Sequence, residues 1–416
     1  MSEFTATTLR IGARGDGIAT HEGRELFLPF TAPGDVLRLR TARAGRVEIV
    51  ERLADGARQA PPCPHFGTCG GCQLQHLRDD VYAEAKREFV RAALRHRGLD
   101  PAVVAPLERT KPATRRRARL AMGRSRSGDT AIGFHARASH RIVDLKTCLV
   151  VHPDLLALVP TLRALGEGVL QPGEETSLSL TRAATGIDLV LDLPRPPDLA
   201  MLEMLGEFAA ARNLARLSWR TGKEAPMPVV ERRPVQISFT GVAVDLPPDC
   251  FLQASEEAEA ILRDRVLAFL DGARSLADLF SGVGTFTFPL AAKAKVHAVD
   301  GDAAAVAALQ HAARRAGLAG RITTEARDLD RRPLRAEELA SFDAVLFDPP
   351  YAGAKAAALE LARSSVPRIV AVSCHPASFA RDARLLVDGG YRLVRVVPVD
   401  QFLWSAEIEL IAQFAR

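Results

Sequence analysis

From residue 250 onward the chain alternates between short apolar runs and helical stretches. This pattern constrains the fold more than any other feature. The runs are SLADLF (275–280), KVHAVD (295–300), RITTEARD (321–328), FDAVLFD (342–348) and RIVAVSC (368–374), with helical stretches between them. Parallel strands need long crossovers, so these five read as a doubly wound parallel sheet. Two further runs, RLVRVVPVD (392–400) and EIELIAQF (407–414), are joined only by QFLWSA (401–406). No helical crossover fits there, so the last pair is expected to be antiparallel. The expectation is a C-terminal seven-stranded α/β domain over 246–416, opened by LPPD at 246–249.

The chain is long enough for more than this. Its 416 residues suggest two to four domains. With 47% hydrophobic and 25% charged residues it is neither a disordered nor a fibrous chain. Residues 1–58 hold short apolar stretches (26–28, 36–39, 46–50) divided by turn signals, RGDG at 14–17 and APGD at 32–35. That spacing suits a five-stranded OB-like β-barrel, a common oligonucleotide platform. Residues 59–245 read as an α+β middle domain. It starts with a Pro/Cys loop and a helix over 77–97, in which Val81, Ala85, Phe89 and Ala93 mark a buried stripe. No run of about 18 apolar residues predicts a membrane span. The first ten residues lack the apolar core of a secretory signal, so the expected compartment is the cytoplasm.

Charge is concentrated. The net formal charge is +5, yet residues 101–150 carry 11 Lys/Arg against 3 Asp/Glu, so this one segment supplies the whole excess. Clustered charge of this kind points to a polyanion-binding surface. The run TRRRARLAMGRSRSG (114–128) offers Arg115, Arg116, Arg117, Arg119, Arg124 and Arg126 as phosphate contacts.

Three of the six cysteines, Cys63, Cys69 and Cys72, fall within ten residues on a loop rich in Gly and Pro. Without an export signal, disulfides are not expected, and the spacing reads as a metal site. Thiolates hold zinc or an iron–sulfur cluster, normally through four ligands. Cys148 is the candidate for the fourth. Spacing alone leaves zinc and iron–sulfur open. Cys250 reads as a small packed residue.

Polar residues recur at the carboxyl ends of the expected parallel strands, where open α/β sheets bind ligands. They are Asp278 and Phe280, Asp300, Asp328, Asp348 and Cys374. DLFSGVGTFTF (278–288) supplies Gly282 and Gly284 for a tight turn, but Thr287 stands where a dinucleotide fingerprint wants a third glycine. Asp300 is placed to accept from ribose hydroxyls. Asp348 opens DPPYAGA (348–354), and Cys374 sits at a strand tip in VSCHP (372–376). A free thiol has a pKa of about 8.5, so a reactive Cys374 needs a setting that favours thiolate. Glu407 and Glu409 share one face by strand alternation.

Taken together these segments resemble the RNA 5-methyluridine methyltransferase family over nearly the whole chain. RGDGIA and FLPFTAPGD sit where that family has its TRAM domain. FLQAS (251–255) resembles F-x-Q-x-N, DLFSGVGTF resembles DLFCGxGxF, and DPPYAGA resembles DPPRxG. VSCHPASFARD resembles VSCNPxTLARD, and DQFLWSAEIE (400–409) resembles DxFPxTxHxE. The resemblance implies S-adenosylmethionine as cofactor, lined by Gln253, Phe280, Thr285, Asp300, Asp328 and Asp348. It implies Cys374 as nucleophile and Glu409 as base, with Phe251 beside the target base. It also implies a 4Fe–4S cluster on Cys63, Cys69, Cys72 and Cys148. The expected substrate is RNA, with 23S rRNA ahead of tRNA, and the expected state a monomer. Tyr351 and His375 depart from the family's Arg and Asn, and Trp404, Glu407 and Ser255 also differ. Two rival readings follow from the residues. DPPY suits an exocyclic-amino N-methyltransferase of nucleic acid, which needs no cysteine. A non-catalytic RNA-binding iron–sulfur protein would need the thiol loop but not the strand-end set.

Overall fold

The computed structural model describes residues 3–42 and 47–416. Arg46, in the expected apolar stretch 46–50, lies outside them. At the N-terminus β1 (Glu3–Ile11), β2 (Gly17–His21), β3 (Arg24–Leu28), β4 (Val36–Thr41) and β5 (Val47–Ala54) form an antiparallel sheet in the order β3-β2-β1-β4-β5. Both turn signals form turns. In the second, the buried Asp35 carboxylate accepts from the amides of Ala32 and Gly56 and from Arg58, which fastens the loop. Among the described residues no hydrogen-bonded ladder joins β3 to β5, although these two edge strands lie in contact.

Helix α1 (Asp79–His96) follows the cysteine loop, and β6 (Glu108–Arg109) follows α1. The middle region then builds a seven-stranded sheet. Its members are β7 (Arg117–Arg124), β8 (Thr130–His135), β9 (Ile142–Asp144), β10 (Glu175–Ala183), β11 (Gly186–Asp192), β12 (Arg216–Arg220) and β13 (Met227–Glu231). Helices α2 (Pro153–Leu156), α3 (Val159–Val169) and α4 (Leu199–Ala211) belong to the same region. Leu120, Met122, Leu178, Leu180, Leu189 and Leu191, at alternate positions, share a core with Leu162, Leu165 and Leu205. A hairpin of β14 (Gln236–Phe239) and β15 (Val242–Asp245) closes the region.

The C-terminal layer contains α5 (Glu256–Phe269), β16 (Ser275–Leu279), α6 (Thr287–Ala291), β17 (Lys295–Asp300), α7 (Ala303–Arg315), β18 (Ile322–Ala326), α8 (Ala336–Leu339), β19 (Ala344–Phe347), α9 (Lys355–Arg363), β20 (Arg368–Ser373), α10 (Pro376–Asp388), β21 (Arg392–Asp400) and β22 (Glu409–Ala415). The sheet order is β18-β17-β16-β19-β20-β22-β21-β6. Strands β16 to β20 pair in parallel, and β22 runs antiparallel to both β20 and β21. Alternate residues feed two cores, one on each face: Leu276, Val296 and Leu346 on one, Ala277, Leu279 and Val345 on the other. Ser255 caps α5, its hydroxyl accepting from Ala258 N at 3.1 Å, with Glu256 and Glu257 in the first turn.

Three features differ from the sequence expectation. The seven expected strands gain an eighth, β6, paired in parallel with β21 at the sheet edge. Helix α1 packs on this layer, with Val90 and Leu94 in the same core as Phe379 and Leu386 of α10. The hairpin before residue 245 also joins it, through Ile237, Phe239 and Val244.

Candidate active site

The strand order reverses between β16 and β19, and a cavity of about 580 Å³ opens at their carboxyl ends. Gln253, Phe280, Thr285, Asp300, Asp328, Asp348, Cys374 and Glu409 all line it. These are all eight strand-end and loop residues named above for cofactor and catalysis, and they come from the carboxyl ends of five strands, the first residue of β22 and two loops. Phe280, immediately after β16, sits in the left-handed region at φ 61°. That conformation is costly for a residue with a side chain and is common at functional sites. Gly284, at φ 96°, could not be replaced, because a Cβ there would lie 2.6 Å from the Phe288 ring. Thr287 donates to the buried Asp278, so both lie beneath the loop, and Asp278 is not among the lining residues. Asp300 accepts from Gly282 N at 2.8 Å and from Asp302 N at 2.7 Å. The cap of α7 is Asp302, which leaves Asp300 to shape the turn and face the cavity.

The electrostatics of this cavity are one-sided. Asp300, Asp302, Asp328, Asp330, Asp348 and Glu409 line it, and no Lys, Arg or His is among the lining residues. Burial, then the neighbouring Asp278 charge, pushes the Asp348 carboxyl up to about 7. Burial and Asp348 hold Glu409 well above the carboxylate range, while a hydrogen bond from Gln401 opposes them. Burial, with the charges of Glu409 and Asp348, pushes the Cys374 thiol up to about 12. Such a cavity disfavours a pyrophosphate, as a dinucleotide would bring, and favours a ligand carrying positive charge.

Side-chain amides wire the carboxyls together. Gln401 Nε2 donates to Glu409 Oε2 at 2.8 Å and to Gln253 Oε1 at 2.9 Å, and Gln253 Nε2 donates to Asp348 Oδ2 at 2.9 Å. Gln401 was not singled out from the sequence. Its only signal is a polar pair, Asp400-Gln401, closing the apolar strand VVPV. Glu407, expected on the same face as Glu409, is exposed and lines a different cavity, because β22 begins only at Glu409. Tyr351 is 56% exposed at the mouth and stacks on His375 with centroids 4.0 Å apart. Phe251 is 64% exposed there, with the Arg117 guanidinium 5.4 Å from its ring centre.

The second cavity, about 380 Å³, is lined by all four named cysteines, Cys63, Cys69, Cys72 and Cys148. Gly70 lets this loop approach β8, since a Cβ there would lie 2.8 Å from the His135 carbonyl. Among the described residues no three His, Cys, Asp or Glu side chains are gathered tightly enough for one metal ion. Four thiols bordering one space are a donor set of the kind that holds zinc or an iron–sulfur cluster. Cys250 is buried, as expected of a packed residue.

The basic run divides. Arg116 is buried, donating to the Gln253 carbonyl and paired with Glu259, and Arg124 donates to the carbonyls of Glu167 and Leu170. These two act inside the fold and not on phosphate. Arg117 and Arg119 share the outer face of β7, and Arg126 is exposed in the loop after it.

Known proteins match this arrangement over its whole length. An uncharacterized RNA methyltransferase of Brucella suis is 43% identical over 411 residues, covering 99% of this chain and 97% of its own. The 23S rRNA (uracil(1939)-C(5))-methyltransferase of Chromohalobacter salexigens is 34% identical, covering 98% of this chain and 88% of its own. The chain belongs to the RNA (uracil-C5) methyltransferase family. In fold, this methyltransferase resembles the Pyrococcus abyssi tRNA (uracil-54, C5)-methyltransferase, solved with S-adenosyl-L-homocysteine. That match has a TM-score of 0.73 and 22% identity, and it covers 99% of this chain and 100% of the other. A family model described as "Conserved hypothetical protein 95" matches residues 261–366 of this methyltransferase. No helix among its described residues is long and apolar enough to cross a membrane.

Proposed function

We propose that the protein methylates carbon 5 of a uridine in 23S rRNA, using Cys374 as nucleophile and Glu409 as base. The observation that carries this reading is the single acidic cavity holding a thiol, a buried carboxyl and the six cofactor-lining residues together. S-adenosylmethionine supplies an electrophilic methyl on a sulfonium, and a cation is what a cavity lined by carboxyls and by no Lys, Arg or His accommodates. Gln253, Phe280, Thr285, Asp300, Asp328 and Asp348 hold it, with Asp300 toward the ribose.

Carbon 5 of uracil is a poor nucleophile. The Cys374 thiolate adds to carbon 6, and the C5=C6 electrons move to make C5 electron-rich. C5 attacks the methyl, and the C–S bond of the donor breaks. Glu409 then takes the C5 proton, its C–H electrons re-form the double bond, and the Cys374 sulfur leaves as thiolate. One hard step becomes two easier ones. The thiol must pass its proton to solvent before attack, and the Glu409 carboxyl must be ionised before it takes the C5 proton. A bound cation favours both losses, because it stabilises the negative forms that burial disfavours. The target base must leave its stack, at a cost of roughly a few kcal/mol. The exposed Phe251 ring, with Arg117 over it, offers a stacking and phosphate-facing edge at the cavity mouth.

In the thiol cavity we infer a 4Fe–4S cluster on Cys63, Cys69, Cys72 and Cys148, and in the N-terminal sheet a TRAM-like RNA contact. The target in 23S rRNA rests on the activity named for the Chromohalobacter relative. The test is RNA from cells lacking the gene, analysed by nucleoside. The reading predicts loss of one 5-methyluridine in 23S rRNA. Loss of a methylated amino group instead would favour the N-methyl reading that Tyr351 suggests.

A further inference from the structure

Asp400 to Glu409 forms a strap that leaves β21, passes the thiol cavity and enters the active site. Phe402, Leu403, Ser405 and Glu407 line the thiol cavity, while Glu409 lines the other. One buried lysine from α1 closes this strap. Lys86 is fully buried, forms an ion pair with Asp400 at 3.1 Å, and donates to the carbonyls of Phe402, at 3.1 Å, and Glu407. Two of the ammonium's donors go to those carbonyls and its charge faces the Asp400 carboxylate, so every contact falls within one eight-residue segment (400–407). Tyr82, one turn earlier on α1, donates to Asp400 Oδ2 at 2.6 Å and accepts from Trp404 N at 2.8 Å. Trp404 sits in the left-handed region at φ 60°, a strained conformation that needs such anchoring. Its carbonyl accepts from the amides of Gln73 and Leu74, immediately after Cys72.

The strap delivers two groups to the chemistry. Gln401, next to the anchored Asp400, donates to Glu409 Oε2 and is itself fixed by Ala254 N at 2.9 Å. Glu409 follows the anchored Glu407 carbonyl by two residues. Burying a lysine is costly unless it is well paired, so one set against two carbonyls and a carboxylate of the same segment fixes that segment's path. The buried charge lies in no cavity described above, which argues against a role on substrate.

We propose that Lys86 and Tyr82, acting through the strap and Gln401, are positioning residues for the base Glu409, and so control proton removal from carbon 5 and not cofactor binding or thiol addition. This rests on the proposed role of Glu409. Displacing a reacting group by about 1 Å costs roughly a hundredfold in rate. Lys86→Met and Tyr82→Phe should therefore still bind S-adenosylmethionine and still form the covalent RNA adduct, and Gln401→Met, which also frees Gln253, should still form the adduct at saturating cofactor. They should release it about tenfold to a hundredfold more slowly, so that a species transient in the wild type persists on denaturing gels. General damage to the fold would slow adduct formation as well, which separates the two outcomes. Glu409→Gln serves as the reference. If it accumulates adduct and Gln401→Met and Tyr82→Phe resolve theirs at the wild-type rate, the positioning role is wrong and the base assignment stands. If Glu409→Gln accumulates none while losing activity, the base assignment fails first. Should Lys86→Met not fold, the other two variants decide, because each removes only a polar group.

Discussion

The two cavities of this methyltransferase share one strap, and residues only two apart face different chemistry: Glu407 lines the thiol cavity and Glu409 the acidic one. Both spaces are lined by acids whose neutral form burial favours. Burial, together with the other three thiols, pushes Cys72 up to about 12, and burial with neighbouring charge pushes Asp348 up to about 7. They differ in donor. Four thiols bordering a space suit soft metal ions, whereas carboxyls with no cationic side chain among the lining residues suit a sulfonium and an ammonium. The difference teaches that each cavity is shaped for a positive guest, and that softness of the donor selects which.

The largest effect should come from the acidic side. Cys374→Ala is expected to lower methylation by roughly 10⁴-fold or more, with cofactor binding kept, as measured by methyl transfer and titration calorimetry. Glu409→Gln should lower turnover by roughly 10²- to 10⁴-fold while the adduct accumulates. On the thiol side, anaerobically purified protein should show the broad visible absorption of an iron–sulfur cluster, and Cys72→Ser should bleach it. Colourless wild-type protein containing stoichiometric zinc would overturn the cluster assignment. The smallest effect is thermal. Asp348 and Asp278 bind protons more tightly folded than unfolded, since burial raises both to about 7. The cofactor-free protein should therefore lose stability as pH rises from about 4 to about 7, where the unfolded chain alone releases those protons. A bound cation offsets this loss, so the rise in Tm on adding S-adenosylmethionine should be greater at pH 8 than at pH 5.5. An equal rise at both would contradict the electrostatic reading.

Much of this was legible in the chain because strand ends impose position. Alternating runs placed Asp300, Asp348 and Cys374 at one sheet edge, and the structure brings them around one space. The short 401–406 connection also foretold the antiparallel end of the sheet. What failed to show was long-range polar pairing. Apolar spacing in α1 predicts a buried stripe of Val81, Ala85, Phe89 and Ala93, yet the buried residues are Tyr82, Lys86, Phe89, Val90 and Leu94. Apolar periodicity cannot place a lysine in the interior when its partner, Asp400, lies more than three hundred residues away. The basic run misled for the same reason. Arg116 looks like a phosphate ligand until Glu259 is found beside it. Two-residue β6 carries too little pattern to be seen at all.

One measurement bears on the whole account. RNA carrying 5-fluorouridine at the target presents a carbon 5 whose fluorine Glu409 cannot remove as a proton, so the thioether to carbon 6 should be trapped. Peptide mapping of the trapped complex is predicted to place the RNA on Cys374. Attachment at any other residue, or full turnover with no trapped complex, would contradict the mechanism.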